Sequence, residues 1–185
     1  EHQDRAVIAC HLDVAPDGSL SGWRFTRAVI RCAANIAYEA AADYPCIEAM
    51  WACWRALFEA RQRREPLELE LPERRIELDE QGRVAAIGLR ERLDAHRMVE
   101  DYMIAANVAA AKALEAKRSP VVYRAHETPS AEKIDALREY LKTLDIPFAK
   151  GQVVRPAMFA NVLDNIDDPL LREQVSLEVL RSQTQ

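Results

Sequence analysis

The sequence predicts an α+β fold, with a curved, mostly antiparallel sheet surrounded by helices. Two observations point there. Pairs of strand-like segments flank two short turns, APDGS at 15–19 and DEQG at 79–82. Between and after them run segments with helical apolar spacing, the longest of them rich in alanine.

The elements follow in order. Val7–Val14 alternates and reads as a strand. Pro16 presets φ in the turn, and Asp17-Gly18 supplies the residue that tolerates positive φ. Leu20–Ile30 is the return strand, with Trp23 and Phe25 on one face. A helix is expected over Cys32–Ala42, although cysteine is a poor N-cap. Ile47–Arg64 is a helix with Met50, Trp51, Trp54, Leu57 and Phe58 on one side. Leu67–Leu71 alternates with glutamates and reads as a strand. Ile76–Leu78 and Arg83–Leu89 form the second hairpin. The long helix covers Arg92–Lys117, roughly 39 Å at 1.5 Å per residue. Pro120–Ala125 reads as a central strand. Ser130 caps a helix to Leu144, with Lys133 where a full capping box needs glutamate. Residues 145–154 are a loop or a short extended segment. Pro156 opens a helix at its favoured first position, and Asp168-Pro169 starts the last one, to Arg181.

Composition bounds the function. The 185 residues, 49% hydrophobic and 30% charged, suit one soluble domain with a real core. No run of 18 apolar residues occurs, which excludes a transmembrane helix. EHQDRAVIAC lacks the pattern of a signal peptide. Cys10, Cys32, Cys46 and Cys53 form no C-x-x-C pair. They read as buried free thiols in a reducing compartment, so a cytoplasmic location is expected. The net charge of −5 argues against a chain built only for electrostatic capture of nucleic acid. A local basic channel remains open, with Arg61, Arg63, Arg64, Arg74 and Arg75 as its candidates. A solvated helix end and strand face describes the same arginines.

The long helix carries the most informative pattern. His96, Glu100 and Asn107 are spaced to share one side. Alanines around them let other backbone come close. A carboxylate and an amide on a rigid helix are good parts for reading a polar ligand. On periodicity alone the same residues describe a solvated stripe.

The segment HRMVEDYMIAANVAAA resembles one that marks the catalytic domain of the ribonuclease II and ribonuclease R exoribonucleases, the RNB domain. Asp4-Arg5, VIACHLDVAPDGSL and RFTRAVIRCAANIAY resemble the family's segments upstream of it. VVYRAHETPSAEKIDALREYLKTL and VLRSQTQ resemble those downstream, so the likeness is collinear over nearly the whole chain. It implies that residues 1–185 are a partial RNB-type exoribonuclease domain. The family's four magnesium-binding aspartates would precede it, and a Ser-Pro-Ile-Arg-Arg-Tyr segment would follow it.

The resemblance also implies a function. The full-length enzyme would be a monomeric, hydrolytic 3′-to-5′ exoribonuclease that uses magnesium. It would degrade single-stranded RNA to nucleoside 5′-monophosphates. This chain would supply the RNA channel, bind no metal and be inactive alone. Tyr38 matches a tyrosine that contacts RNA near its 3′ end, and Glu100 a glutamate that tells RNA from DNA. Asn107, Arg124 and His126 match channel-lining positions. The other reading is a non-catalytic RNA-binding or assembly module with a degenerate nuclease fold. Asp164, Asp167 and Asp168 resemble the end of the metal motif in the wrong context, and Asp168 is better read as an N-cap.

Overall fold

The hairpin of β1 (Asp4–Val14) and β2 (Leu20–Arg31) pairs antiparallel from Asp4–Arg31 inward, with one register shift between Asp13 and Val14. The Gly18 N–H donates to the Ala15 carbonyl at 2.8 Å, and the Ser19 N–H to Asp17 Oδ1 at 2.9 Å. The Ser19 hydroxyl and N–H together hold the Asp17 carboxyl below its ordinary range. The computed structural model that shows this describes residues 2–45, 47–69, 71, 73–148 and 154–184.

The chain forms two compact units. The first comprises Glu1–Arg64 and Arg92–Tyr123. It holds β1, β2, a 3-10 turn at Tyr38–Ala40, α1 (Glu48–Gln62) and α2 (Asp94–Ala116). Ile47, Trp54 and Met98 form its core, with Trp51, Phe58 and Tyr102 packed against them. The Tyr102 hydroxyl donates to the Met50 carbonyl at 2.9 Å, and burial foremost, with Cys53 beside it, pushes the phenol pKa up. The α2 helix presents Ala95, Met98, Asp101, Ala105 and Ala109 to the interior. The small side chains at 105 and 109 let the helix lie close to its neighbours, as the alanine pattern predicts. The helix ends in a Schellman arrangement. The Ser119 N–H bonds the Leu114 carbonyl at 3.0 Å, and Arg118 takes the left-handed conformation at φ 52°.

The second unit comprises Glu65–Glu91 and Arg124–Gln185. It holds β3 (Glu73–Leu78), β4 (Val84–Arg90), α3 (Ala131–Thr143), α4 (Pro156–Asp164) and α5 (Pro169–Ser182). Leu141, Val175 and Val179 are fully buried at its centre, with Phe159 and Leu163 around them. Both expected caps form. Ser130 Oγ accepts from the Lys133 N–H at 3.3 Å, and Asp168 Oδ1 from the Leu170 N–H at 3.0 Å. Among the described residues no helix is long and apolar enough to cross a membrane.

The α+β class with antiparallel strands is therefore as expected, but among the described residues the strands form two two-stranded sheets. Three elements differ from expectation. Cys32–Ala42 is not a helix, and only Tyr38–Ala40 turns. No side chain caps that turn, and the Cys32 thiol instead donates to the Ala34 carbonyl at 3.2 Å. Leu67–Leu71 has no strand at its described residues, Glu70 lying outside them. Its alternation is real but serves another end: Leu67 and Leu69 pack on the helical core of the second unit. Pro66 and Pro72 flank the segment, and proline lacks the N–H that a ladder needs. Pro120–Ala125 is not a strand either, and Val122 is 98% exposed. An apolar run becomes a central strand only where neighbours pair with it, and none does here among the described residues. The cysteines also depart from the reading as buried thiols: Cys10 and Cys53 are half-buried, Cys32 is exposed, and Cys46 lies outside the described residues.

Gly18 joins the first hairpin to α1. It has φ 77°, and a Cβ there would lie 2.0 Å from the Ala56 carbonyl oxygen. Gly82 has the same φ, but its Cβ would meet nothing within 4 Å. Gly18→Ala should therefore cost about 2–4 kcal/mol, and Gly82→Ala about 1 kcal/mol. Urea denaturation of the two variants checks this, and equal losses would refute the close packing assigned to Gly18.

Candidate functional site

Consecutive residues on a helix point about 100° apart, so Glu100 and Asp101 face different surroundings. Asp101 continues the buried stripe of α2, and its side chain is 4% exposed. A carboxylate there needs partners. The Trp54 indole Nε1–H donates to Oδ2 at 2.9 Å, and Arg61 Nε lies 3.2 Å from Oδ1. Both partners come from α1, so one buried acid ties the two helices together. Arg61 also lies over the Phe58 ring, 5.8 Å from its centroid.

The same guanidinium reaches outward. Arg61 Nη1 lies 3.5 Å from Glu100 Oε1. Arg92, just before α2, places Nη2 2.5 Å from Glu100 Oε2. Each carboxylate oxygen thus has one arginine, and the Glu100 side chain remains 42% exposed. A carboxylate offers about four lone-pair sites, so two remain for a further donor. Two adjacent guanidiniums also offset its charge, which lowers the repulsion an approaching phosphate would meet.

One turn earlier, His96 Nδ1 accepts from the Leu93 N–H at 3.2 Å, the side-chain-to-backbone half of a capping box. That bond fixes the ring. The Tyr38 ring stacks on it, centroids 4.0 Å apart and planes 24° from parallel. Tyr38 is partly exposed. The 3-10 turn that replaces the expected helix therefore brings Tyr38 onto the polar stripe of α2. Asn107 continues that stripe and is exposed.

Tyr38 thus joins His96 on the side of α2 that the spacing of His96 and Glu100 implies. Arg124 and His126 belong to the second unit, where His126 Nδ1 lies 3.3 Å from the Thr184 carbonyl. There His126, before α3, and Lys133, in its first turn, whose Nζ donates to the Gln183 carbonyl at 2.7 Å, both reach the segment after α5. Asp164 pairs with Arg172 at 3.5 Å.

The basic cluster divides. Arg61, Arg63 and Arg64 line a cleft of about 380 Å³ bounded by the 17–20 turn, α1 and α2. Lys112 joins them there and lies 5.5 Å from the Trp23 ring centroid. Arg74 and Arg75 lie on β3 in the second unit. The sequence reading missed Asp101, Trp54 and Arg92. Their signal was an acid at a core position of an apolar stripe, which calls for an indole or guanidinium on the facing helix.

The chain matches the family model described as "RNB domain" over residues 1–185. It is 27% identical to ribonuclease R of Vibrio cholerae over 98% of this chain and 24% of that protein. Ribonuclease R of Escherichia coli gives the same values, 27%, 98% and 24%. The chain thus spans about a quarter of the length of these curated relatives. Among solved structures it resembles Mycoplasma genitalium RNase R in complex with ribose methylated single-stranded RNA. That match has a TM-score of 0.88 at 22% identity, over 100% of this chain and 31% of the other. The same protein in complex with double-stranded RNA gives a TM-score of 0.88 over 98% of this chain and 35% of the other.

Burial separates the two adjacent acids energetically. Asp101→Ala should cost about 3 kcal/mol, because it strips the buried Trp54 and Arg61 groups of a partner. Glu100→Ala should cost under about 1 kcal/mol, as expected for a part-exposed ion pair. Denaturant titrations decide it, and comparable losses would contradict the division of labour.

Proposed function

The chain belongs to the RNB domain family, and on that footing we propose that it forms the RNA-channel part of a hydrolytic 3′-to-5′ exoribonuclease. The full enzyme removes nucleoside 5′-monophosphates from single-stranded RNA, and works as a monomer in the cytoplasm. The observation that carries the reading is the placement of Tyr38 one helical turn from Glu100, through its stack on His96. An aromatic ring beside a carboxylate suits the terminal nucleotides of RNA. The ring packs on a base or sugar, and the carboxylate accepts a hydrogen bond from the ribose 2′-hydroxyl. Deoxyribose has no such donor. Asn107 extends the same face, and the resemblance alone assigns RNA contacts to Arg124 and His126 of the second unit.

The full enzyme uses magnesium. Among the described residues, no three His, Cys, Asp or Glu side chains gather where they could hold a metal ion. No chemical step is therefore assigned to the described residues. Their work is to bind the RNA end and to select ribose.

Two outcomes are expected. In the full-length enzyme, Glu100→Ala should reduce the preference for RNA over a 2′-deoxy substrate by about tenfold, the worth of one hydrogen bond to a charged acceptor. Competitive degradation of the two substrates measures it, and unchanged preference removes the role given to Glu100. The 185-residue polypeptide alone should release no mononucleotide from single-stranded RNA with magnesium present, and chromatographic detection of such release would contradict the assignment.

A further inference from the structure

Glu100 cannot read a ribose unless its carboxylate is held in one orientation. A glutamate side chain has three rotatable bonds, and a surface position leaves them free. Here each oxygen is engaged by a different arginine. Oε1 faces Arg61 at 3.5 Å and Oε2 faces Arg92 at 2.5 Å. Arg61 is itself well fixed. Its side chain is only 13% exposed, its Nε lies against the buried Asp101, and its guanidinium lies over Phe58. Asp101 is fixed in turn by the indole of Trp54. A rigid line therefore runs from the core between α1 and α2 to the exposed carboxylate.

We propose that Arg61 and Arg92 are positioning residues that set the orientation of the Glu100 carboxylate for ribose selection. The inference rests on the reading of Glu100 as the acceptor for a ribose 2′-hydroxyl. Arg61 supplies the fixed side of the clamp. Its planar fork serves two carboxylates at once, Asp101 through Nε and Glu100 through Nη1. Lysine offers one ammonium and cannot span both in that geometry. Arg92 supplies the outer side from the segment that leads into α2. The clamp also orients the unused lone pairs, so a hydroxyl approaching from solvent meets a preorganised acceptor rather than a mobile one.

The test measures kcat/KM of the full-length enzyme on two oligonucleotides, one all-ribose and one with 2′-deoxyribose at its 3′-terminal positions. The variants are Arg61→Lys, Arg92→Lys, Glu100→Ala, and Arg92→Lys combined with Glu100→Ala. The ratio of the two kcat/KM values should fall about three- to tenfold in Arg61→Lys and in Arg92→Lys. The combined variant should show no loss beyond that of Glu100→Ala. A general structural defect lowers both substrates together and leaves the ratio in place. Arg92 is at the surface, with its side chain 41% exposed, so its variant keeps the test decisive should Arg61→Lys fail to fold. If Glu100→Ala itself leaves the ratio unchanged, the ribose reading falls, and this inference with it. If Glu100→Ala lowers the ratio while the folded lysine variants keep that of the wild type, only the positioning role is overturned.

Discussion

The first unit depends on one buried carboxylate. Asp101 lies at a core position of α2, where an unpaired charge would cost several kcal/mol. It is tolerated because α1 brings both the Trp54 indole and the Arg61 guanidinium to it. That requirement sets how α1 lies against α2, since an apolar seam alone allows sliding and a hydrogen-bonded acid does not. The packing of Ile47, Trp54 and Met98 supplies the burial, and the acid supplies the register. The exposed chemistry then follows. Arg61 is the countercharge of the core acid, and it is also one of the two contacts on Glu100.

Much of the fold was legible because its signals are local. The two hairpins declare themselves through alternation and through Asp17-Gly18 and Gln81-Gly82, whose glycines both take φ 77°. The helices at 48–62 and 94–116 follow apolar and small-residue spacing, and those at 131–143, 156–164 and 169–182 are announced by Ser130, Pro156 and Asp168-Pro169. The failures share one cause, which is that a segment's pattern does not name its partner. Leu67 and Leu69 alternate as a strand does, yet they face helices. The 120–125 run is apolar enough for a sheet, yet no strand pairs with it among the described residues. Helix 32–42 fails for want of a cap, and the chain spends those residues reaching the side of α2.

The candidate site was legible to a lesser degree. Spacing placed His96, Glu100 and Asn107 on one side, and resemblance supplied Tyr38. Neither could show that Tyr38 stacks on His96, because that contact joins segments far apart in sequence. Nor could they show which arginines reach Glu100. Arg61 looked like one member of a basic cluster that also held Arg74 and Arg75. The fold sends those two to β3 of the second unit and turns Arg61 inward. Charge counted along a chain says little about charge met by a ligand.

That distinction bears on how an acidic chain would serve RNA under the proposed function. A net charge of −5 repels a polyanion at long range, but that repulsion is screened beyond about 8–10 Å in physiological salt. At contact distance the local pairing decides. A lone carboxylate in an RNA channel would repel the phosphates beside the ribose it is meant to read. In the proposed role Glu100 would avoid this, because two guanidiniums sit on its oxygens and leave lone pairs to spare. The same arginines that would make the acid tolerable to a phosphate would also fix its direction. On that proposal, electrostatic tolerance and ribose specificity would rest on one arrangement, which Asp101 anchors in the core.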